Sequence, residues 1–356
     1  MPLEININHH KINKSSKTYF IADIAANHDG DLNKAIDLIY AAKDAGANAA
    51  KFQHFKADTI VSNSTFSSFK KKLSHQKKWK QSVFEVYKNA SIDLSWTKTL
   101  HKECQKAQID FFPSPYSIEL VDHVDPYVSA YKIGSGDITW LEIIKYISKK
   151  KKPVILATGA SNFKDVERAL KIITKNNKQV CIMQCNTNYT GSNENFNYIN
   201  LNVLKKYKKK FKNVILGLSD HTPGHSTVLG AITLGAKIIE KHFTLSNNFN
   251  GPDHKFSMTP KSWREMVDRS RELEMSLGTE NKIIEKNELE SSIVQRRSLH
   301  LTRDYQKNER LNINDTICLR PSPLGSVQPY DSSKVKLKKF VRKKNKGEVV
   351  LWKDLD

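Results

Sequence analysis

Residues 214–244 read VILGLSDHTPGHSTVLGAITLGAKIIEKHFT. Two apolar, β-branched runs, VILGLSD (214–220) and IIEKHFT (238–244), flank a segment that Gly235 closes directly after AITL. The runs are nearly continuous rather than alternating, which is the pattern of strands covered on both faces, and the intervening segment supplies the crossover that parallel neighbours require. Both runs end on polar residues, Ser219 with His221 and Glu240 with His242.

The same grammar extends upstream. YFIADIA (19–25), AAKFQH (49–54), DFFPS (110–114), AYKIGS (130–135), VILATG (154–159) and VCIMQC (180–185) are further strand candidates, with helical stretches such as LNKAIDLIYAAKDAG (32–46) between them. Gly46 stops that helix just before the second strand, as Gly235 does before the eighth. Eight strand–helix units predict an α/β fold, a closed (β/α)8 TIM barrel over residues 1–280. A polar linker is expected over 281–292. From about Ile293 the pattern turns to short strand-like pieces, RRSLHLT, TICLRP and EVVLW, around the proline-rich PSPLGSVQP, so residues 293–356 are expected to form a small β-rich domain.

Composition restricts the function classes. Hydrophobic residues at 38% and charged residues at 27% describe a folded globular chain. No apolar run is long enough to span a bilayer and the start lacks a signal-peptide core, so no membrane partner is expected and the cytoplasm is the expected compartment. Cys104, Cys181, Cys185 and Cys318 include no CxxC pair, which argues against a disulfide framework or zinc knuckle. The net charge of +21 comes mostly from lysines dispersed over many helices and tails, the distribution of solvated faces rather than a nucleic-acid stripe.

In a barrel all strand ends open onto one face, so Asp23, Lys51, Gln53, Ser114, Lys132, Ser135, Thr158, Gln184, Ser219, His221, Glu240 and His242 should converge there. Any one of them could simply cap its strand; the set points to a pocket. His221 and His242, on adjacent strands, could share one divalent ion, with Mn, Mg, Fe and Co all compatible with imidazole and oxygen ligands. Lys51 and Lys132 beside the hydroxyls of Ser114, Ser135 and Ser219 suit a small, strongly anionic substrate carrying phosphate and carboxylate; the plainer alternative pairs a lysine with a rim carboxylate such as Asp137 or Asp23.

The motifs IADIAANHDG, GANAAKFQ, YKIGSGD, ILATGAS, GLSDHTPG, IEKHFT and GPDHKFSM, in this order over residues 19–260, resemble sialic acid (N-acetylneuraminate) synthases and their nonulosonate relatives. QRRSLHLTRD and CLRPSPLGSVQP resemble, more weakly, that family's antifreeze-protein-like (SAF) domain. The resemblance implies condensation of phosphoenolpyruvate with an N-acetylated amino-sugar aldehyde, with Lys51, Ser114, Lys132, Ser135, Thr158 and Ser219 on phosphoenolpyruvate. It implies a divalent metal, Mn with Mg or Co as alternatives, on His221 and His242, and sugar contacts from Asp23, Gln53, Tyr189 and Asp253. It also implies that Arg320 reaches the partner's barrel in a domain-swapped homodimer. Asp23 or Asp137 would handle the proton of the attacking water. The sequence departs from the family pattern at Asp23, Ala157, Gln184, Gln295, Ser322 and Pro323. Two rival readings are a different phosphoenolpyruvate-dependent aldose condensation, of the 3-deoxy-ulosonate type, and a basic nucleic-acid-binding barrel.

Overall fold

The structure, a computed structural model, describes residues 3–356. It divides into two units, Met1–Gly278 and Thr279–Asp356. The first opens with an antiparallel hairpin of β1 (Glu4–Ile7) and β2 (His10–Asn13), joined by the two-residue turn Asn8–His9, with Asn8 in the left-handed region at φ 48°. Eight parallel strands follow: β3 (Tyr19–Asp23), β4 (Ala49–His54), β5 (Asp110–Pro115), β6 (Tyr131–Ile133), β7 (Val154–Ala157), β8 (Val180–Cys185), β9 (Ile215–Asp220) and β10 (Ala236–His242). Their order is β5-β4-β3-β10-β9-β8-β7-β6, a TIM barrel whose seam lies between β5 and β6. There the Ser114 hydroxyl donates to the Lys132 carbonyl at 2.9 Å.

Side chains alternate across each strand, so parity sorts the barrel into two cores. Phe20, Ala22, Phe52, Leu156, Ile182 and Leu218 face outward into the layer shared with the helices. The helix Leu32–Asp44 shows how that layer is built. The Asp31 carboxylate caps it by accepting from the Asn33 and Lys34 amides, Ala35, Leu38, Ile39 and Ala42 form its buried face, and Gly46 at φ 93° turns the chain into β4. The opposite parity, Tyr19, Ile21, Ala49, Phe112, Ile155, Met183, Ile215 and Ile238, fills the barrel interior together with Ile5, Ile7 and Ile12. The hairpin therefore closes the N-terminal end of the barrel. Gly217 occupies one of these inward positions, where a Cβ would stand 2.7 Å from the Ile238 carbonyl oxygen.

The second unit contains an antiparallel pair, β11 (Ser298–Leu301) and β12 (Thr316–Leu319), over a core of Leu299, Leu301, Tyr305, Leu311, Val327, Val335, Phe340 and Val350. Residues 281–292 fall inside this unit, where the short helix Leu289–Val294 begins. EVVLW contributes isolated bridges, His300 to Val349 and Ser326 to Leu351, rather than a strand.

Candidate active site

Continuing the inward parity past the apolar layer brings Asp23, Lys51, Lys132, Ser219, Glu240 and His242 to the C-terminal mouth, where they line one cavity of about 380 Å3. Its floor is an ionic network. Lys51 Nζ lies 2.6 Å from Asp23 Oδ2 and 3.7 Å from Glu240 Oε1, while Lys132 Nζ donates to the same Glu240 oxygen at 2.7 Å. Ser219 Oγ donates to it as well, at 3.2 Å, and Gln53 Nε2 donates to Asp23 Oδ2 at 3.2 Å. All four charged groups are at most 3% exposed, and Glu240 Oε2 has no hydrogen-bond partner. Burial disfavours the Asp23 carboxylate, but the Lys51 ammonium outweighs it and holds its pKa at about 2. Lys51 is raised despite burial, chiefly by Asp23 and then Glu240. The floor thus pairs two cations with two anions.

The imidazoles of His221 and His242 sit side by side above this floor, with ring centroids 5.3 Å apart. His221 Nδ1 lies 2.8 Å from the Asn186 carbonyl oxygen and donates to it, which leaves Nε2 as the nitrogen a metal would take; burial works against the charged ring, but the Cys185 thiol and that carbonyl raise its pKa. Burial lowers the His242 pKa to about 3, leaving a neutral ring whose buried Nδ1 has no hydrogen-bond partner. Asp253 Oδ2 stands 3.9 Å from that nitrogen, and Asp23 Oδ2 stands 3.4 Å from Nε2. An orphaned buried nitrogen, a second imidazole oriented by a carbonyl and nearby carboxylates form a donor set that fits a divalent ion with positions left for water or substrate.

Two further carboxyls border the cavity. Burial pushes Asp137 up to about 6, and burial together with the charge of Asp23 does the same for Asp253. Groups that titrate near neutrality can accept and return protons at physiological pH. The remaining wall is aromatic. His75, Trp79 and Tyr87, from the segment between β4 and β5, join Tyr116 and Tyr189 around the cavity. Tyr189 packs 4.4 Å from the His221 ring centroid and 5.1 Å from that of His75.

Several expectations change. Thr158 does not line the cavity: its hydroxyl donates to the Met183 carbonyl and accepts from Tyr207, because parity turns it outward where Ala157 points in. Gln184 also faces away, donating to the Ile199 carbonyl. Ser114 has the inward parity, but its hydroxyl is committed to the barrel seam. Lys51 takes Asp23 as its rim partner, whereas Asp137 pairs with neither lysine. Ser135, Asp137, Tyr189, Asp253, Gln53, His221 and His242 all reach the cavity. Arg320 belongs to the second unit and is exposed. The aromatic wall and the bridging role of Glu240 were not anticipated. Its place at the mouth was expected from its strand end; its contact with both lysines was not.

Known proteins resemble the chain throughout. A model described as the NeuB family matches residues 38–282. N,N'-diacetyllegionaminic acid synthase of Campylobacter jejuni is 35% identical over 322 residues, 88% of this chain and 94% of the relative. Pseudaminic acid synthase of the same organism is 32% identical over 315 residues, covering 87% and 89%. The solved structure of the N-acetylneuraminic acid (sialic acid) synthetase from Leptospira borgpetersenii superposes with a TM-score of 0.72 at 28% identity, over 82% of this chain and 95% of that one. Matched by the family's model across most of its barrel and by named synthases over nearly nine-tenths of its length, this chain is an enzyme of the NeuB family.

Proposed function

We propose that the enzyme condenses phosphoenolpyruvate with the open-chain aldehyde of an unphosphorylated acetamido sugar, N-acetylmannosamine or a diacetamido-deoxy sugar, giving a nonulosonic acid and inorganic phosphate. The observation that carries this reading is the distribution of cations. Lys51 and Lys132 are the only lysines or arginines among the described residues lining the cavity, and both lie on its floor. Phosphoenolpyruvate carries a phosphate and a carboxylate and would engage both, which leaves no cation of the same chain for a phosphate on the sugar. This favours a neutral sugar over the phosphorylated aldose of a 3-deoxy-ulosonate synthase. The name of one Campylobacter relative, N,N'-diacetyllegionaminic acid synthase, supports a diacetamido substrate.

In this reading Lys51, Lys132, Ser135 and Ser219 hold the anion with its C3 toward the histidine pair. A divalent ion on His221 and His242, Mn with Mg or Co as alternatives, would supply Lewis-acid polarisation of the aldehyde oxygen. C3 forms the new bond to the aldehyde carbon, and positive character develops at C2. Water adds to C2 and gives its proton to Asp137, Asp23 remaining ionised beside Lys51. Asp137 returns that proton to the former aldehyde oxygen, the C2–O bond to phosphate breaks, and the C2 hydroxyl becomes the ketone as its proton leaves with the phosphate. Gln53, Tyr189 and Asp253 border the space for the sugar. Arg320 is proposed to reach the sugar from the partner in a domain-swapped homodimer; mixing Arg320→Ala with Lys51→Ala subunits should restore part of the activity, and no recovery in verified heterodimers would remove that role.

The test is phosphate release from phosphoenolpyruvate with Mn and a panel of N-acetylmannosamine, diacetamido-deoxy hexoses and phosphorylated aldoses. Turnover with an unphosphorylated acetamido sugar is expected. Preference for a phosphorylated aldose would overturn the assignment.

A further inference from the structure

At the opposite, N-terminal end of the barrel, His9, His10 and Asp110 come together with their ligand atoms all within 4.8 Å of one another. Each is delivered by a different structural device. His9 lies in the hairpin turn, where left-handed Asn8 reverses the chain, so two consecutive histidines that would diverge in an extended strand stay together, with ring centroids 4.0 Å apart. Asp110 opens β5 and is only 4% exposed. Its carboxylate is held from behind, Oδ1 accepting from Asn8 Nδ2 and Oδ2 from the Tyr19 hydroxyl, both at 2.5 Å.

Holding a carboxylate in this way leaves each oxygen a lone pair and fixes its direction, the arrangement that orients metal ligands. His10 Nε2 stands 3.6 Å from Asp110 Oδ2, too far for a hydrogen bond, and among the described residues no hydrogen bond satisfies either imidazole. Beside the cluster a cavity of about 520 Å3, bordered by His9 and Asp110 with His101 and Gln105, leaves room for water to complete a coordination shell.

We propose that His9, His10 and Asp110 bind a borderline divalent transition ion of the zinc class, with water in the open position. Ligands at about 2.0–2.2 Å in a tetrahedral shell stand roughly 3.4 Å apart, so a small rotation of the exposed His9 ring completes the site. The ion ties the hairpin that carries Ile5, Ile7 and Ile12 to the start of β5, and so acts as a clamp on the closed end of the barrel. The site is independent of His221 and His242.

Metal-stripped protein, dialysed against zinc chloride at about 10 μM free ion, tests this. The wild-type chain is expected to hold one more zinc per chain than His9→Ala or the shape-conserving His10→Gln, while Mn-dependent phosphate release stays the same in all three. Zinc should also raise the thermal midpoint of the wild type more than that of either variant. Cobalt substitution gives a second readout, visible bands of a low-coordinate His site in the wild type that are lost in His9→Ala. Equal zinc content in wild type and both variants, or a site that fills only above about 1 mM ion, would overturn the proposal.

Discussion

Replacing Glu240 by glutamine tests the ionic floor most directly. The carboxylate is the acceptor common to Lys132 at 2.7 Å, Ser219 at 3.2 Å and Lys51 at 3.7 Å, and it is 3% exposed. Glutamine keeps the shape and an acceptor oxygen but removes one negative charge, so Lys132 loses a charge-assisted bond worth about 1.5–3 kcal/mol. At the few degrees per kcal/mol typical of a domain this size, the melting temperature should fall by roughly 3–10 °C. Anion binding should move the other way. Removing a unit charge about 5 Å from an incoming phosphate changes their interaction by about 3 kcal/mol at an effective dielectric near 20. If relaxation and solvent leave about 1–2 kcal/mol of that, KM for phosphoenolpyruvate falls by about five- to thirtyfold. Turnover should drop by about ten- to a hundredfold, because Lys132 loses the partner that positions it. Scanning calorimetry with and without phosphoenolpyruvate, together with steady-state phosphate release, reads all three. A lower melting temperature with an unchanged or higher KM would show that Glu240 is not the standing counter-ion of an anion site, and the reasoning from the floor would fail.

Asp137, pushed up to about 6 by burial, is protonated below that pH and cannot accept a proton. Turnover should therefore climb about tenfold per pH unit up to about 6 and then level off, and Asp137→Asn should be slow and lack this limb; a limb of the same midpoint in the variant would move the role to another acid. His242→Ala and chelation should each abolish phosphate release, with only chelation reversed by Mn, and full turnover by protein verified as metal-free would remove the ion from the reaction. Gly217→Ala places a methyl group against the Ile238 backbone carbonyl, which cannot swing aside, so about 1–3 kcal/mol of stability should be lost without any change in KM; a denaturation midpoint equal to wild type would contradict the packing argument.

The barrel was legible because each strand is a compact apolar run punctuated by turn residues, and all eight runs quoted at the outset contain the core of an observed strand. Much of the cavity lining was legible for a simpler reason, that strand ends in a barrel converge. Thr158 and Gln184 were misplaced because strand ends were read without parity. Counting in twos from Ile155 selects Ala157 and passes over Thr158. The β1–β2 hairpin escaped notice although Ile5 and Ile7 alternate with polar neighbours, since strands of four residues carry little periodic signal. His75, Trp79 and Tyr87 lie on short helical pieces far from any strand end, and their approach to Tyr189 depends on tertiary packing that no local pattern encodes.

The division of labour around the cavity has an evolutionary side. The ionic anchors lie on strands whose register is fixed by the ladder, with Asp23 paired to Lys51 and Glu240 to Ser219. His75, Trp79 and Tyr87 come instead from the segment between two strands, which can change in length and composition without shifting that ladder. A descendant of this chain could therefore reshape that side of the cavity by rewriting residues 57–96 while inheriting the ionic floor intact. Grafting that segment between family members would accordingly vary the cavity wall without touching the floor.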